Sequence, residues 1–263
     1  MTMNSIEQWL NKGREAMDVG EFREAIRLFR QALQDDPSSI EVQELLGEAL
    51  AEDAQIKEAL EIYERILKED PHHLEALYAL GDLYFEQGLN DKARSAYEQI
   101  LEVDPAQSDA LVSLGLVHFH LEQMEEAERC YRKALTMEPD SVFALNSLGD
   151  TLYGQGENDE ALACYQQAVE LDPEDAQAHF NLGEMAYDLG DLPTAERECR
   201  EAVRLDPGLS FAYLTLGSLY LDQEKTRLAL QYFQEFLLHE RAESSRDIRE
   251  EVAAVIAGLK EEL

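Results

Sequence analysis

Basic residues are scarce in this chain. Its 263 residues include 22 Lys and Arg against 56 Asp and Glu, so the formal net charge at pH 7 is −34. Nucleic-acid binding depends on neutralising phosphates with Lys and Arg, and anionic membrane surfaces attract the same residues. The charge therefore argues against a nucleic-acid partner and against attachment to an anionic membrane surface.

Cysteine and long apolar runs are scarce as well. Three cysteines are a small, odd number, which argues against a disulfide framework and fits a reducing compartment. No apolar run approaches the ~18 residues of a transmembrane helix, and Met1–Leu10 lacks the basic start and apolar stretch of a signal peptide. We therefore expect a cytoplasmic protein with no direct membrane insertion.

Proline is also rare, but its placement is regular. Six of the seven prolines lie 34 residues apart, and a glycine, an alanine and a mostly aromatic residue recur with the same period. Recurrence in phase over six or seven copies identifies an internal repeat. The series are Pro37, Pro71, Pro105, Pro139, Pro173 and Pro207; Gly13, Gly47, Gly81, Gly115, Gly149, Gly183 and Gly217; Ala25, Ala59, Ala93, Ala127, Ala161, Ala195 and Ala229; and Phe29, Tyr63, Tyr97, Tyr131, Tyr165, Cys199 and Phe233.

Each repeat carries two amphipathic helical patterns. In residues 74–107 a first apolar stripe around Leu77 and Leu80 stops at Gly88. A second stripe ends before Pro105, because proline lacks the N–H that a continuing helix needs. The periodic glycine and alanine predict a close crossing of the two helices, since larger side chains would hold the backbones apart. Sustained strand patterns are absent.

The period and the residue order resemble the tetratricopeptide repeat family, whose pattern is W-x2-L-G-x2-Y, A-x3-F and P. Residues 144–173 follow it closely, as do 76–105 and 178–207. The resemblance implies an all-α fold, a right-handed α-solenoid of antiparallel helix pairs. The seven repeats are 6–39, 40–73, 74–107, 108–141, 142–175, 176–209 and 210–243, with an N-terminal tail at 1–5 and a C-terminal capping helix at 244–263.

The capping helix is predicted from one apolar stripe. Ile248, Val252, Val255, Ile256, Leu259 and Leu263 fall on one helical face. We expect this face to cover the last repeat, because terminal repeats need a polar outer side.

No motif indicates catalysis, a cofactor or a metal ion. Gly154 and Gly156 match half of a dinucleotide fingerprint, but no strand precedes them. The six histidines show no metal-binding spacing, and the three cysteines are interpreted as packing residues. We therefore predict a non-enzymatic protein without catalytic residues, cofactor or metal site.

The acids are unevenly placed along the repeats. In the family, positions 2, 5, 9, 12 and 13 of each unit line a concave groove, and the resemblance maps these onto 35 residues here. Fourteen of the 35 are acidic and one, Arg14, is basic. Among them we single out as partner-binding residues Glu41, Glu44, Glu48, Glu75, Tyr78, Asp82, Phe85, Glu86, Phe119, Asp150, Tyr153, Phe180, Glu184, Tyr187 and Asp188.

Acidic and aromatic groups in one groove suit a basic, partly apolar peptide or helix. The leading hypothesis is therefore a non-catalytic protein–protein interaction scaffold. Two alternatives stay open: a scaffold that assembles with copies of itself through its ends, around Trp9 and Ile256, or through the groove, and an adaptor or chaperone accessory to an enzyme or secretion system.

Two further expectations follow from the charges. One arginine cannot form the carboxylate clamp by which family members hold acidic C-terminal peptides, so we expect no such binding.

The acidity also has a general explanation, since high net charge keeps proteins soluble or suits life in salt. That explanation predicts acids spread over the surface without a bias toward the groove.

Overall fold

The computed structural model describes residues 4–261 and places them in fifteen α-helices and one 3₁₀ turn, with no strand in that range. They form two compact units, the first ending at Met137 and the second beginning at Glu138. The first contains α1 (Asn4–Asp18), α2 (Phe22–Asp35), α3 (Ile40–Glu52), α4 (Ile56–Glu69), α5 (Leu74–Glu86), α6 (Asn90–Val103), α7 (Ser108–His120) and α8 (Met124–Met137). The second contains α9 (Val142–Gln155), α10 (Asn158–Leu171), α11 (Ala176–Asp188), α12 (Leu192–Leu205), α13 (Ser210–Asp222), α14 (Thr226–His239) and, after a turn at Glu243–Ser245, α15 (Arg246–Glu261).

The helices pack as consecutive pairs, which confirms the predicted all-α fold class of helix-pair repeats. Odd-numbered helices from α1 to α13 are called first helices here, and even-numbered ones second helices. From α5 onward, each first helix begins 34 residues after the one before it. None of the helices in residues 4–261 combines the length and hydropathy needed to cross a bilayer.

A ring on the second helix packs against the periodic glycine of the first helix in nearly every pair. A Cβ added at Gly81 would lie 2.6 Å from the ring of Tyr97, and one at Gly149 would lie 2.4 Å from that of Tyr165. Tyr97 and Tyr165 are buried. In the pair α11–α12, Cys199 replaces the ring and its Sγ lies at the corresponding place. The glycine is required because nothing larger fits under the ring.

Five of the seven pairs are closed by a turn that the Asp-Pro signature encodes. The Asp36, Asp70, Asp104, Asp172 and Asp206 carboxylates each accept the backbone N–H two residues on, at 2.7–3.1 Å. This side chain-to-backbone bond stabilises a tight turn. Within a pair, the turn residue adopts positive φ, for example +68° at Gly88. Ala54, Glu122 and Glu224 adopt the same conformation without being glycine.

The two termini differ in part from the prediction. Helix α1 already begins at Asn4, so the predicted tail at 1–5 extends too far, and residues 1–3 lie outside the described residues. The capping helix starts at Arg246 rather than at 244, after the 3₁₀ turn. Residues 262 and 263, including the last member of the apolar stripe, also lie outside the described residues.

Helix α15 packs its apolar stripe against α14. Val252, Ile256 and Leu259 are buried in the same core cluster as Phe236. The sequence suggested the surface around Ile256 as an end-to-end contact between copies. The side chain of Ile256 is itself covered within its own chain, whereas Ile248 and Val255 of the same stripe are 37% and 38% exposed, so the end contact stays a prediction.

The ring-on-glycine contact predicts opposite effects for one substitution at two helical glycines. Gly81→Ala places a methyl group against the buried ring of Tyr97, and such overpacking destabilises by about 1–3 kcal/mol. A Cβ at Gly258, in α15, meets nothing within 4 Å. Gly258→Ala therefore raises the free energy of unfolding by about 0.5–1 kcal/mol, because alanine favours the helix. Thermal and urea unfolding of both variants measure this; destabilisation of similar size at both glycines would contradict it.

Candidate functional site

The candidate site lies on the first helices, at the five positions per unit that the resemblance assigns to a groove. We call these side chains the first-helix surface and describe its parts in the two compact units separately. Twelve of its fourteen acids are exposed, and Glu44 and Glu184 are half-buried. Its negative charge is therefore accessible to a partner in each unit.

Cations are absent from most of this surface. Within residues 4–261, Arg14 is the only Arg or Lys that forms an ion pair with these acids, its Nη2 lying 2.6 Å from Glu41 Oε1. Most ion pairs of second-helix arginines are made with acids of second helices, and Arg23 pairs with Asp53 at the end of α3. The second-helix pairs include Arg27–Glu24, Arg30–Glu58, Arg94–Asp91, Arg129–Glu126, Arg132–Glu128 and Arg204–Glu201.

In the first compact unit, carboxylates converge on a pocket of about 340 Å³. Burial raises the pKa of Glu44, and the negative charges of Glu75 and Glu41 raise it further, while His73 opposes the rise. Desolvation and repulsion from Glu75 and Glu41 thus disfavour the charged form of Glu44. The pocket is lined by Arg14, Glu41, Glu44, Leu45, Glu48, Tyr63 and Glu75.

The predicted aromatic residues of the first unit are half-buried. The ring of Phe85 meets the ring of His120 edge-on at 5.0 Å, and Phe119 lies 6.4 Å from the same ring. The Tyr78 hydroxyl donates to Gln107 Oε1 at 3.5 Å. Tyr78, Phe85 and Phe119 all keep part of their surface in solvent, beside the exposed carboxylates of the same helices.

In the second compact unit, Asp150 and Glu184 lie on adjacent first helices. Asp150 accepts from the Tyr165 hydroxyl at 2.8 Å and from Asn181 Nδ2 at 3.5 Å. Although part of Asp150 is exposed, desolvation raises its pKa, and the bond from Tyr165 partly offsets the rise. Desolvation also raises the pKa of Glu184, and the charges of Asp188 and Asp150 add to this effect.

Tyrosine–aspartate bonds join successive first helices in the second unit. The Tyr153 hydroxyl donates to Asp188 Oδ2, and the Tyr187 hydroxyl donates to Asp222 Oδ2 at 2.7 Å. The bond to Asp188 is the main cause that raises the pKa of Tyr153 to about 12. Burial and then the bond to Asp222 raise that of Tyr187 to about 12. The sequence placed these residues in one groove but did not show that they bond across a spacing of 35 residues.

One predicted groove residue is not available to a partner, and one exposed aromatic residue was missed. Phe180 is 8% exposed and packs with Ala202, Ala212 and Phe211 in the core. Its assignment as a binding residue is therefore wrong. Phe143, at position 2 of its unit, is 57% exposed. It is one of the 35 mapped residues, but the aromatic residues selected from the sequence all stand at positions 5 and 12 of their units.

Models of one protein family match much of the chain. Models described as tetratricopeptide repeat match residues 10–73 and 146–210, 50–114, and 107–174. Together they extend continuously from residue 10 to residue 210. No curated protein sequence matches the chain.

Several solved structures share the fold. A tetratricopeptide repeat protein from Parabacteroides merdae is 20% identical, with 97% of this chain and 99% of that one covered and a TM-score of 0.77. PilF from Pseudomonas aeruginosa is 22% identical, with 78% and 93% covered and a TM-score of 0.66. YrrB, described as a repeat protein of this kind with an unusual peptide-binding site, is 23% identical, with 70% and 95% covered and a TM-score of 0.56. The likeness at these identities is one of fold, and together with the matching family models it shows that the chain belongs to the tetratricopeptide repeat family.

Proposed function

We propose that this chain is a non-catalytic, cytoplasmic interaction scaffold whose first-helix surface binds a basic, partly apolar protein segment. The observation that carries the proposal is the separation of charge. Most ion pairs of second-helix arginines are made with second-helix acids, whereas Glu48, Glu86 and Glu184 on first helices have no cation within ion-pair distance in the described residues. An Arg- or Lys-bearing partner would supply the missing charge.

The energetic state of the acids supports the proposal. The pKa values of Glu44, Asp150 and Glu184 are all raised, with desolvation as the largest cause. Carboxylates that are charged at neutral pH despite such surroundings lower the stability of the free protein. A cationic partner relieves this penalty on binding, so the same feature that destabilises the free protein favours the complex.

Apolar groups beside the acids supply anchors. Phe143 and Tyr153 are 57% and 41% exposed, and Phe85 and Phe119 are half-buried. Aromatic anchors with a charged surround are typical of protein–protein interfaces. YrrB, with the same fold, is described by its peptide-binding site, which supports a peptide or helix as the occupant here.

The raised pKa of Glu184 predicts a stabilising substitution. A carboxylate whose folded pKa exceeds its unfolded value lowers stability as pH rises through that interval, and the full penalty is present at pH 7. Asp188 lies four residues along the helix, and one like-charge pair of that spacing costs about 0.2–0.5 kcal/mol. Glu184→Gln should therefore raise the free energy of unfolding at pH 7 by roughly 0.5 kcal/mol or more. The gain should vanish below about pH 4, where both states are protonated.

Unfolding curves of Glu184→Gln across pH test this prediction. Glu170→Gln is the matched control, since it makes the same change on the exposed face of α10 in the same compact unit. We expect no comparable gain there. An equal gain in both variants would attribute the effect to net charge, and a loss at Glu184 would contradict the argument.

Binding is tested with two matched triple variants. Glu48→Gln/Glu86→Gln/Glu184→Gln removes three charges from the first-helix surface, and Glu61→Gln/Glu102→Gln/Glu170→Gln removes three from second helices. The probe is a fluorescent amphipathic peptide with Arg and Leu, and its counterpart has Glu in place of Arg. At about 0.2–1 kcal/mol per exposed charge pair, the first-helix triple should weaken binding at least about threefold and the second-helix triple less.

The salt dependence completes the test. Affinity for the Arg peptide should fall between low salt and about 0.5 M NaCl, because screening shortens the reach of exposed charges to a few Å. The Glu peptide should not bind. Equal losses in the two triples would assign binding to overall charge, and an affinity that does not change with salt would remove the electrostatic basis of the proposal.

A further inference from the structure

Two carboxylates and an imidazole converge in the first compact unit. Glu44 lies on α3, while His73 and Glu75 lie at the start of α5. One ligand-type atom from each residue lies within 4.8 Å of those of the other two. His73 Nε2 is 3.5 Å from Glu44 Oε1, and His73 Nδ1 is 3.4 Å from Glu75 Oε2.

These three groups do not satisfy one another by hydrogen bonding. Glu44 Oε1 and His73 Nδ1 are shielded from solvent and have no hydrogen-bond partner in the protein. Leaving a buried polar atom unsatisfied costs about 1–3 kcal/mol, so buried polar atoms without partners are rare and call for an explanation. An ion that accepts lone pairs from both atoms would satisfy them.

Other repeats show what these positions do when they serve packing alone. The residues equivalent to Glu44 and His73 are Tyr78 and Gln107 in the next unit, and Asn146 and Asp175 two units further on. Both of those pairs are hydrogen-bonded, at 3.5 and 3.3 Å. Asp175 also caps its helix by accepting from Gln177 N at 2.9 Å.

His73 departs from that arrangement. It occupies the N-cap position of α5, yet its side chain makes no capping hydrogen bond. Neither ring nitrogen is used by the backbone, and this unit has an acid and an imidazole where the next unit and one later unit have a bonded pair.

We propose that Glu44, His73 and Glu75 bind a divalent transition-metal ion of the Zn²⁺ class. Imidazole favours such ions over Mg²⁺ and Ca²⁺, which prefer ligand sets made of oxygen alone. Ligand atoms at about 2.0–2.1 Å from a tetrahedral ion lie about 3.3 Å from one another. An imidazole binds one ion through one nitrogen, so one of the two separations, 3.5 Å from Nε2 to Glu44 or 3.4 Å from Nδ1 to Glu75, is an edge of the site and is close to that value.

Little movement is needed to complete the site. The side chain of Glu75 is 76% exposed, so it can rotate to shorten the span of 4.8 Å. The N-terminus of α5 disfavours a cation, whereas the carboxylates of Glu44 and Glu75 attract one. Three protein ligands leave a fourth position for water.

Zinc titration of the untagged full chain tests the site. At about 0.15 M NaCl, where surface charge is screened beyond ~8 Å, and with excess Mg²⁺, calorimetry should show one Zn²⁺ bound per chain. His73→Gln, Glu44→Gln and Glu75→Gln should each weaken binding at least about tenfold, since even residues that only orient ligands contribute 10–100-fold. Co²⁺ bound to the wild type should give the intense visible absorption of a four-coordinate site.

Two neighbouring substitutions are the controls. His72→Gln changes the adjacent exposed histidine, and Glu48→Gln changes a carboxylate of the same pocket outside the triad; both should bind Zn²⁺ like the wild type.

Zinc should also raise the melting temperature of the wild type but not of His73→Gln, whose helicity is checked by circular dichroism. Equal affinity in His73→Gln and wild type, or equal losses in His72→Gln and His73→Gln, would overturn the proposal. Neither result would bear on peptide binding, which is measured with Zn²⁺ removed by a chelator.

Discussion

The ring-on-glycine contact sets the geometry on which the rest of the structure depends. It fixes how closely a second helix approaches its first helix, and thereby which face of the first helix is left to solvent. It also reaches that face directly. The ring that packs on Gly81 places its hydroxyl 2.6 Å from Asp82, and the ring on Gly149 places its hydroxyl 2.8 Å from Asp150. The core contact therefore positions a carboxylate of the first-helix surface.

The pair α11–α12 shows the consequence of removing that ring. Cys199 packs against Gly183 but has no phenolic hydroxyl to offer Glu184, the residue equivalent to Asp150. The pKa of Asp150 is raised by desolvation and lowered by the bond from Tyr165. The pKa of Glu184 is raised by desolvation and by two acids, with no tyrosine to offset them. One change in the core thus leaves one surface carboxylate without its usual donor.

Periodic features were predictable from the sequence because their causes are local. Proline, turn glycine and the small crossing residues act within a few positions, so the helix pairs follow from the 34-residue pattern. The features that the sequence did not predict depend on contacts between repeats. Phe180 is buried because Phe211 and Ala212 of the next first helix cover it. The meeting of Glu44 with His73, 29 residues later in the chain, likewise requires the fold and cannot be seen in the spacing alone.

The acidic residues serve different roles, and only some of them are available to bind a partner. Five aspartates of the Asp-Pro turns hold backbone N–H groups, and Asp82, Asp150, Asp188 and Asp222 accept tyrosine hydroxyls. These acids therefore have a structural role in the free protein. A need for solubility alone would be met by charge anywhere on the surface. It gives no reason for most arginine ion pairs of the described residues to lie on second helices while Glu48, Glu86 and Glu184 have none. The unpaired acids, rather than the total of −34, are the basis for proposing a cationic partner.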